Sequence, residues 1–133
     1  MPRGYTQSET SVHYMNYHFV WTPKYRKKVI VGSVEKRLKS LLKQKCKQLD
    51  IEIISLETMP DHVHIFLKST PVIAPNRIVA ALKGYTSRVL RKEFSHLKSS
   101  LPTLWTRSYF VSTHGHVSSE TIKKYIEEQQ TRI

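Results

Sequence analysis

At 133 residues the chain suits one compact domain, residues 1–133, around one hydrophobic core, and leaves no room for a second. Its 39% hydrophobic and 24% charged residues are ordinary for a folded globular protein, but 22 Lys and Arg against 10 Asp and Glu give a net charge of +12. That excess points to nucleic acid as partner, because neutralising phosphates releases counterions; no run of about 18 apolar residues and no charged-then-apolar opening segment argues for membrane, so a cytoplasmic location is expected.

Residues 1–10 are polar and unpatterned and read as a loose arm. From Ser11 to Trp21 aromatic and β-branched residues dominate, which favours a strand. Its alternation sets Met15, Tyr17, Phe19 and Trp21 toward the core and Tyr14, Asn16, His18 and Val20 toward the opposite face. After Pro23 come Lys24, Arg26, Lys27 and Lys28 around Tyr25, a cluster with two readings, a phosphate grip or a solvated loop.

Gly32-Ser33 with Glu35 reads as a helix start, with a capping hydroxyl and an acid in the first turn. Val34, Leu38, Leu41, Leu42 and Leu49 then share one side at helical spacing, opposite Lys36, Arg37, Lys39, Lys43 and Lys47. Cys46 falls on or beside that stripe and reads as a packed thiol; being the only cysteine, it allows neither an internal disulfide nor a Cys-rich zinc module. Any metal is then a matter for histidine, carboxylate or amide groups. A second strand spans Ile51 to Thr58, and Met59-Pro60-Asp61 turns it back, as an antiparallel hairpin, into a strand from His62 to Leu67.

Asn76, after the break from Pro71 to Pro75, reads as the cap of a helix from Arg77 to about Phe94. Ile78, Val79, Leu82, Tyr85, Thr86, Val89 and Leu90 make its core side; Arg77, Gly84, Arg88 and Arg91 line up on the far side. A mid-helix glycine costs about 1 kcal/mol against alanine, so Gly84 serves either a close phosphate backbone or a close helix contact. Residues 96–107 read as a loop anchored by Trp105, Ser108 to Thr113 as a strand, and Ser118-Ser119 with Glu120 as the start of a last helix.

The resulting order, β-α-β-β-α-β-α, predicts an α+β ferredoxin-like antiparallel sheet with two helices on one face and an added C-terminal helix over the other. His62 and His64, two apart on a strand, share that other face with His18, while Val63, Ile65 and Leu67 face the core. A His-x-His pair is either surface and packing histidine or half of a divalent-metal site, with Asp61 placed to orient a ring. On the last helix Ile122, Tyr125, Ile126 and Gln129 share one side, either as a packing stripe or as a phenol and a carboxamide aimed at one place.

Over nearly its whole length the chain resembles the single-tyrosine transposases of the IS200/IS605 insertion-sequence family, members of the HUH superfamily of single-strand nucleases. The resemblance rests on Met59-Pro60-Asp61-His62-Val63-His64, Lys83-Gly84, Leu104-Trp105 with Ser108-Tyr109-Phe110, Thr113-x-Gly115, and Ile122-Lys123-Lys124-Tyr125-Ile126-Glu127-x-Gln129, in this order and spacing. It implies that Tyr125 is the nucleophile and that His62, His64 and Gln129 bind Mg²⁺ or Mn²⁺; Asp61 and His18, beside the pair in the turn and on the shared face, are the candidates to support them. It further implies a metal-dependent transposase that cuts and rejoins single-stranded, hairpin-forming element ends through a 5′-phosphotyrosine, near the nucleoid when acting. A homodimer is implied as well, in which the tyrosine helix of one subunit can serve the histidines of the other. Two positions depart from the family pattern, His114 where an apolar residue is usual and Glu128 where asparagine is common.

The basic residues Lys24, Arg26, Arg77, Lys83 and Arg88 are the candidates for holding DNA, by charge alone. Three other readings compete. One is a non-catalytic nucleic-acid-binding module that stacks bases on Tyr14 and Phe66; the others are an HUH nuclease acting on chromosomal palindromic repeats and an inactive relative kept for DNA binding.

Overall fold

The computed structural model of the chain describes residues 6–7, 12–113 and 117–131. Strand β1 (Met15–Trp21) leads through a short 3-10 turn (Lys24–Arg26) into helix α1 (Gly32–Gln48). The hairpin of β2 (Glu52–Met59) and β3 (His62–Ser69) follows, then α2 (Pro75–Glu93), a short α3 (Ser95–Ser100), β4 (Phe110–Ser112) and α4 (Ser119–Thr131). The four strands pair antiparallel throughout, in the order β2-β3-β1-β4. With α1 and α2 packed side by side, this is the ferredoxin-like α+β sandwich that the element order predicts.

Alternation builds the two faces. On β3, Val63, Ile65 and Leu67 are fully buried, while His62, His64 and Phe66 are half-buried on the other side. Register aligns β1 with them: Trp21 lies opposite Val63, Phe19 opposite Ile65 and Tyr17 opposite Leu67, so all six side chains enter one core. Leu38, Leu41 and Leu42 of α1 and Ile78, Leu82 and Leu90 of α2 close it, each contributing about 2 kcal/mol by leaving water. Cys46 packs here too, and burial pushes its thiol up to about 12.

Several local expectations change. Thr6–Gln7 pairs antiparallel with Val12–His13, so the arm is laddered there and the first strand is interrupted at Tyr14. Helix α1 is capped by extended Val31, not Ser33; Gly32 takes a φ of +55 to make the turn, which leaves Ser33 inside the first turn. Likewise α2 starts after Ala74 with Pro75 at its first position, where a missing N–H costs nothing, so Asn76 caps nothing. Within residues 96–107, expected as a loop, Leu97 and Leu101 are buried four apart and draw Ser95–Ser100 into a helical turn and a half. Strand β4 covers only Phe110–Ser112, because the carbonyls of Thr106, Arg107 and Ser108 are occupied by the Lys83 ammonium.

The sheet face opposite the core is not open. Val20 is fully buried there and His18 nearly so, and Phe110, paired with Val20 across the strands, sits 6.1 Å from the Tyr125 ring of α4. The last helix covers this face, as its leftover apolar stripe predicts. Ser118 starts it by accepting the Thr121 N–H at 3.1 Å.

Candidate active site

The β2–β3 turn, Pro60–Asp61, presents the first half of the site. Pro60 accepts the Ile30 N–H at 3.0 Å, which ties the turn to the entry of α1. Asp61 Oδ1 then meets His62 Nδ1 at 3.0 Å, and Arg26 Nε donates to Asp61 Oδ2 at 2.8 Å. Burial would raise the Asp61 carboxyl, but the hydrogen bonds from Arg26 and His62 outweigh it and hold it below the usual carboxylate range.

One residue pair along, His64 Nε2 lies 3.2 Å from His18 Nδ1, and His18 stacks flat on Phe66 at 3.9 Å. Burial first, and then the neighbouring His18, lowers the His64 pKa, so its ring is neutral at pH 7 and carries a lone pair. His18, His62 and His64 therefore do share one face, as alternation predicts. Phe66 has its ring face covered by His18, and Tyr14 has the Lys68 ammonium 4.2 Å above its ring. Each ring thus has one face engaged within the chain, which weighs against the stacking module.

Between this sheet face and α4 lies a cleft of about 370 Å³. His62, His64, Asp61, Arg26 and Glu57 line its sheet side, and Ile122, Lys123, Ile126 and Glu127 its helix side. Tyr125 and Gln129 do not line it. Ser108 Oγ donates to Gln129 Oε1 at 2.6 Å and lies 3.4 Å from the Tyr125 hydroxyl, and Gln129 Nε2 donates to the Tyr125 carbonyl. The phenol and the carboxamide are thus aimed at one place, as their spacing predicts, but that place is Ser108 and not the histidine pair.

The donors that could hold a divalent ion are the His62 and His64 rings. His62, with Nδ1 committed to Asp61, keeps Nε2 for a ligand, the arrangement usual for metal-bound histidine. Among the described residues no group of three or more His, Cys, Asp and Glu side chains is close enough to hold a metal, and Gln129 is engaged elsewhere in this arrangement. The chain thus brings the two histidine candidates together on the sheet and keeps the third expected ligand beside Tyr125.

The basic candidates scatter. Arg77 and Arg88 are exposed on α2, in the helix layer on the far side of the sheet from the cleft. The Lys24 ammonium lies over the Tyr25 ring at 5.4 Å. Lys83 is turned inward, donating to the carbonyls of Thr106, Arg107 and Ser108 at 2.6–3.3 Å, so it braces a loop and is not presented to a phosphate. Arg91, expected on the same exposed stripe, is half-buried and donates to the Leu101 carbonyl. Among the described residues a Cβ on Gly84 would meet nothing within 4 Å, so no helix contact among them requires the glycine. Glu128 is exposed on α4, and His114 lies outside the described residues.

Ser108, the Arg26–Asp61 pair and Glu57 were not singled out from sequence. Ser108 and Asp61 each carry a signal, their places in the Ser108-Tyr109-Phe110 and Met59-Pro60-Asp61 motifs, but their contacts with Gln129 and Arg26 do not.

Fold and site together define a basic ferredoxin-like protein with a histidine pair and a helix-borne tyrosine over one sheet face. The family described as "Transposase IS200 like" matches residues 11–129. The ISDra2 transposase TnpA of Deinococcus radiodurans is 39% identical over 132 residues, covering 98% of this chain and 90% of that one. The transposase of insertion sequence element IS200 from Salmonella typhimurium is 31% identical over 115 residues, 85% of this chain and 75% of its own. A crystal structure from Deinococcus radiodurans R1, assigned as a transposase, superposes with a TM-score of 0.82 at 37% identity, covering 93% of this chain and 97% of that one. A REP-associated tyrosine transposase bound to a REP hairpin shares the fold, at a TM-score of 0.52 and 14% identity over 91% of this chain and 69% of its own. The chain belongs to the IS200/IS605 family of transposases. Among the described residues no helix is long and apolar enough to cross a membrane.

Proposed function

We propose that the transposase cuts and rejoins single-stranded DNA at the hairpin-forming ends of its element, with Tyr125 as nucleophile and His62, His64 and Gln129 as the holders of Mg²⁺ or Mn²⁺. The observation that carries this reading is the pairing of Tyr125 with Gln129 on one helix, held together by Ser108, beside a sheet that carries the matching histidine pair. Nucleophile and third ligand then travel as one rigid piece of α4. In a homodimer the α4 of one protomer completes the cleft of its partner.

The chemistry follows from the groups. The Tyr125 oxygen attacks the phosphorus of the scissile phosphodiester, the new bond forms as the bond to the 3′ oxygen breaks, and that oxygen leaves as a 3′-hydroxyl. A phenol with a pKa near 10 is a poor nucleophile at pH 7, so alignment must supply much of the rate. When bound, a divalent ion supplies polarisation of a non-bridging phosphate oxygen. His62 and His64, held by Asp61 and His18, orient that phosphate from the sheet side. The tyrosine–DNA link is itself a phosphodiester, so a different 3′-hydroxyl reverses the step and joins new strands without ATP.

Tyr125→Phe tests this with single-stranded element ends and Mg²⁺ or Mn²⁺. Wild type is expected to give a denaturation-resistant protein–DNA adduct, and the variant to bind the same DNA without one. Undiminished adduct from Tyr125→Phe refutes the assignment, and equal reaction with double-stranded DNA or RNA refutes the substrate.

A further inference from the structure

Arg26 was expected among the DNA contacts, and its geometry places it elsewhere. Its Nε donates to Asp61 Oδ2 at 2.8 Å, the other Asp61 oxygen meets His62 Nδ1 at 3.0 Å, and the side chains of all three are at most one-quarter exposed. We propose that Arg26 is a positioning residue: acting through Asp61, it holds the His62 ring with the proton on Nδ1 and the lone pair on Nε2.

Two independent features support this. An imidazole free in water prefers its proton on Nε2, so a histidine meant to offer Nε2 needs a fixed acceptor at Nδ1. A carboxylate on a two-residue turn can rotate away from that role; a guanidinium gripping its second oxygen stops it. The backbone supplies the other feature. Tyr25 and Arg26 take φ values of +60 and +53, left-handed conformations that strain a non-glycine residue. The surroundings hold this strain in place: Lys24 N–H donates to Leu104 O at 2.8 Å, Arg26 N–H to Pro23 O at 2.9 Å, and Pro23 bridges to buried Trp105. An arginine needed only as a surface charge requires no such turn. This one aims a side chain from a loop anchored on the 104–105 segment at a hairpin tip 35 residues further along the chain.

The inference rests on reading His62 as a metal ligand, so its first readout needs neither metal nor DNA. In the metal-free full chain at pH 8, long-range ¹H–¹⁵N spectra of labelled histidine, with His62 assigned by its loss in His62→Gln, are expected to show one tautomer protonated at Nδ1. Arg26→Gln is expected to shift His62 toward the mixture of a free imidazole and to weaken Mn²⁺ binding about tenfold, the lower end of what orienting partners of metal ligands contribute. Arg26→Lys, which keeps the charge without the planar fork, is expected to fall between. Asp61→Asn serves as the second variant: it should reproduce the loss, and adding Arg26→Gln to it should cost nothing more, since both act through one bond chain. An unchanged tautomer and unchanged Mn²⁺ affinity in folded Arg26→Gln, or additive losses in the double variant, overturn the proposal. A loss of DNA affinity alone returns Arg26 to phosphate contact and overturns it too. Should wild type bind no Mn²⁺, the metal assignment under the proposed function fails, while the tautomer still decides the role of Arg26.

Discussion

Ser108→Ala removes the hydroxyl that seats α4 over the sheet, and its cost can be worked from the geometry. Ser108 Oγ donates at 2.6 Å to Gln129, whose side chain belongs to a residue only 1% exposed. Leaving such an acceptor unmet costs about 1–3 kcal/mol. The Tyr125 contact at 3.4 Å is too long to add much. The loss should fall on local opening of α4 and not on the whole fold, because Ile126 and Gln129 are its only buried residues among those described, whereas β3 buries every second side chain. Amides of residues 119–131 are therefore expected to exchange about 5- to 150-fold faster than in wild type, the range that 1–3 kcal/mol spans. Hydrogen–deuterium exchange with mass spectrometry reads this directly, with residues 62–69 as the internal control and Ser108→Thr as the variant that keeps a hydroxyl. Unchanged exchange in α4, or equal acceleration in β3, refutes the idea that Ser108 holds the helix.

Lys83 predicts a pH dependence. Burial pushes its ammonium down to about 8 from 10.5, so between those values the unfolded chain holds more protons and stability rises with pH. Allowing for the three carbonyls that favour the charged form, the rise is on the order of 2 kcal/mol; Lys83→Met should lack it, and a pH-independent difference in urea unfolding between the two proteins refutes it. Cys46, with its thiol pushed up to about 12, should resist thiol reagents at pH 8 until urea unfolds the chain. Rapid labelling of the native protein refutes its place in the core.

The contrast between α2 and α4 shows what a single sequence carries. Ile78, Val79, Leu82, Tyr85, Thr86, Val89 and Leu90 read as one core side, and they pack as one, with Tyr85 and Val89 only partly buried at its edge. On α4 the stripe of Ile122, Tyr125, Ile126 and Gln129 reads equally well, yet it divides in the fold: the isoleucines face the histidine cleft and the other two face Ser108. Periodicity says which side of a helix is covered, not what covers each position. Helices α1 and α2 start away from the capping side chains that the sequence suggests for a related reason, since Gly32 and Pro75 set the backbone before the polar side chains at Ser33 and Asn76 could act.

By itself the sequence determined which side chains share a face, His62 with His64 and Tyr125 with Gln129, because strand and helix geometry are local and repeat every few residues. Only the tertiary structure decided which of them meet. The pairs that build the site, Arg26 with Asp61, His18 with His64 and Ser108 with Gln129, lie 35, 46 and 21 residues apart. Such pairs depend on strand register and on where a helix comes to rest, and a slip of one residue in register turns every side chain of a strand to the other face.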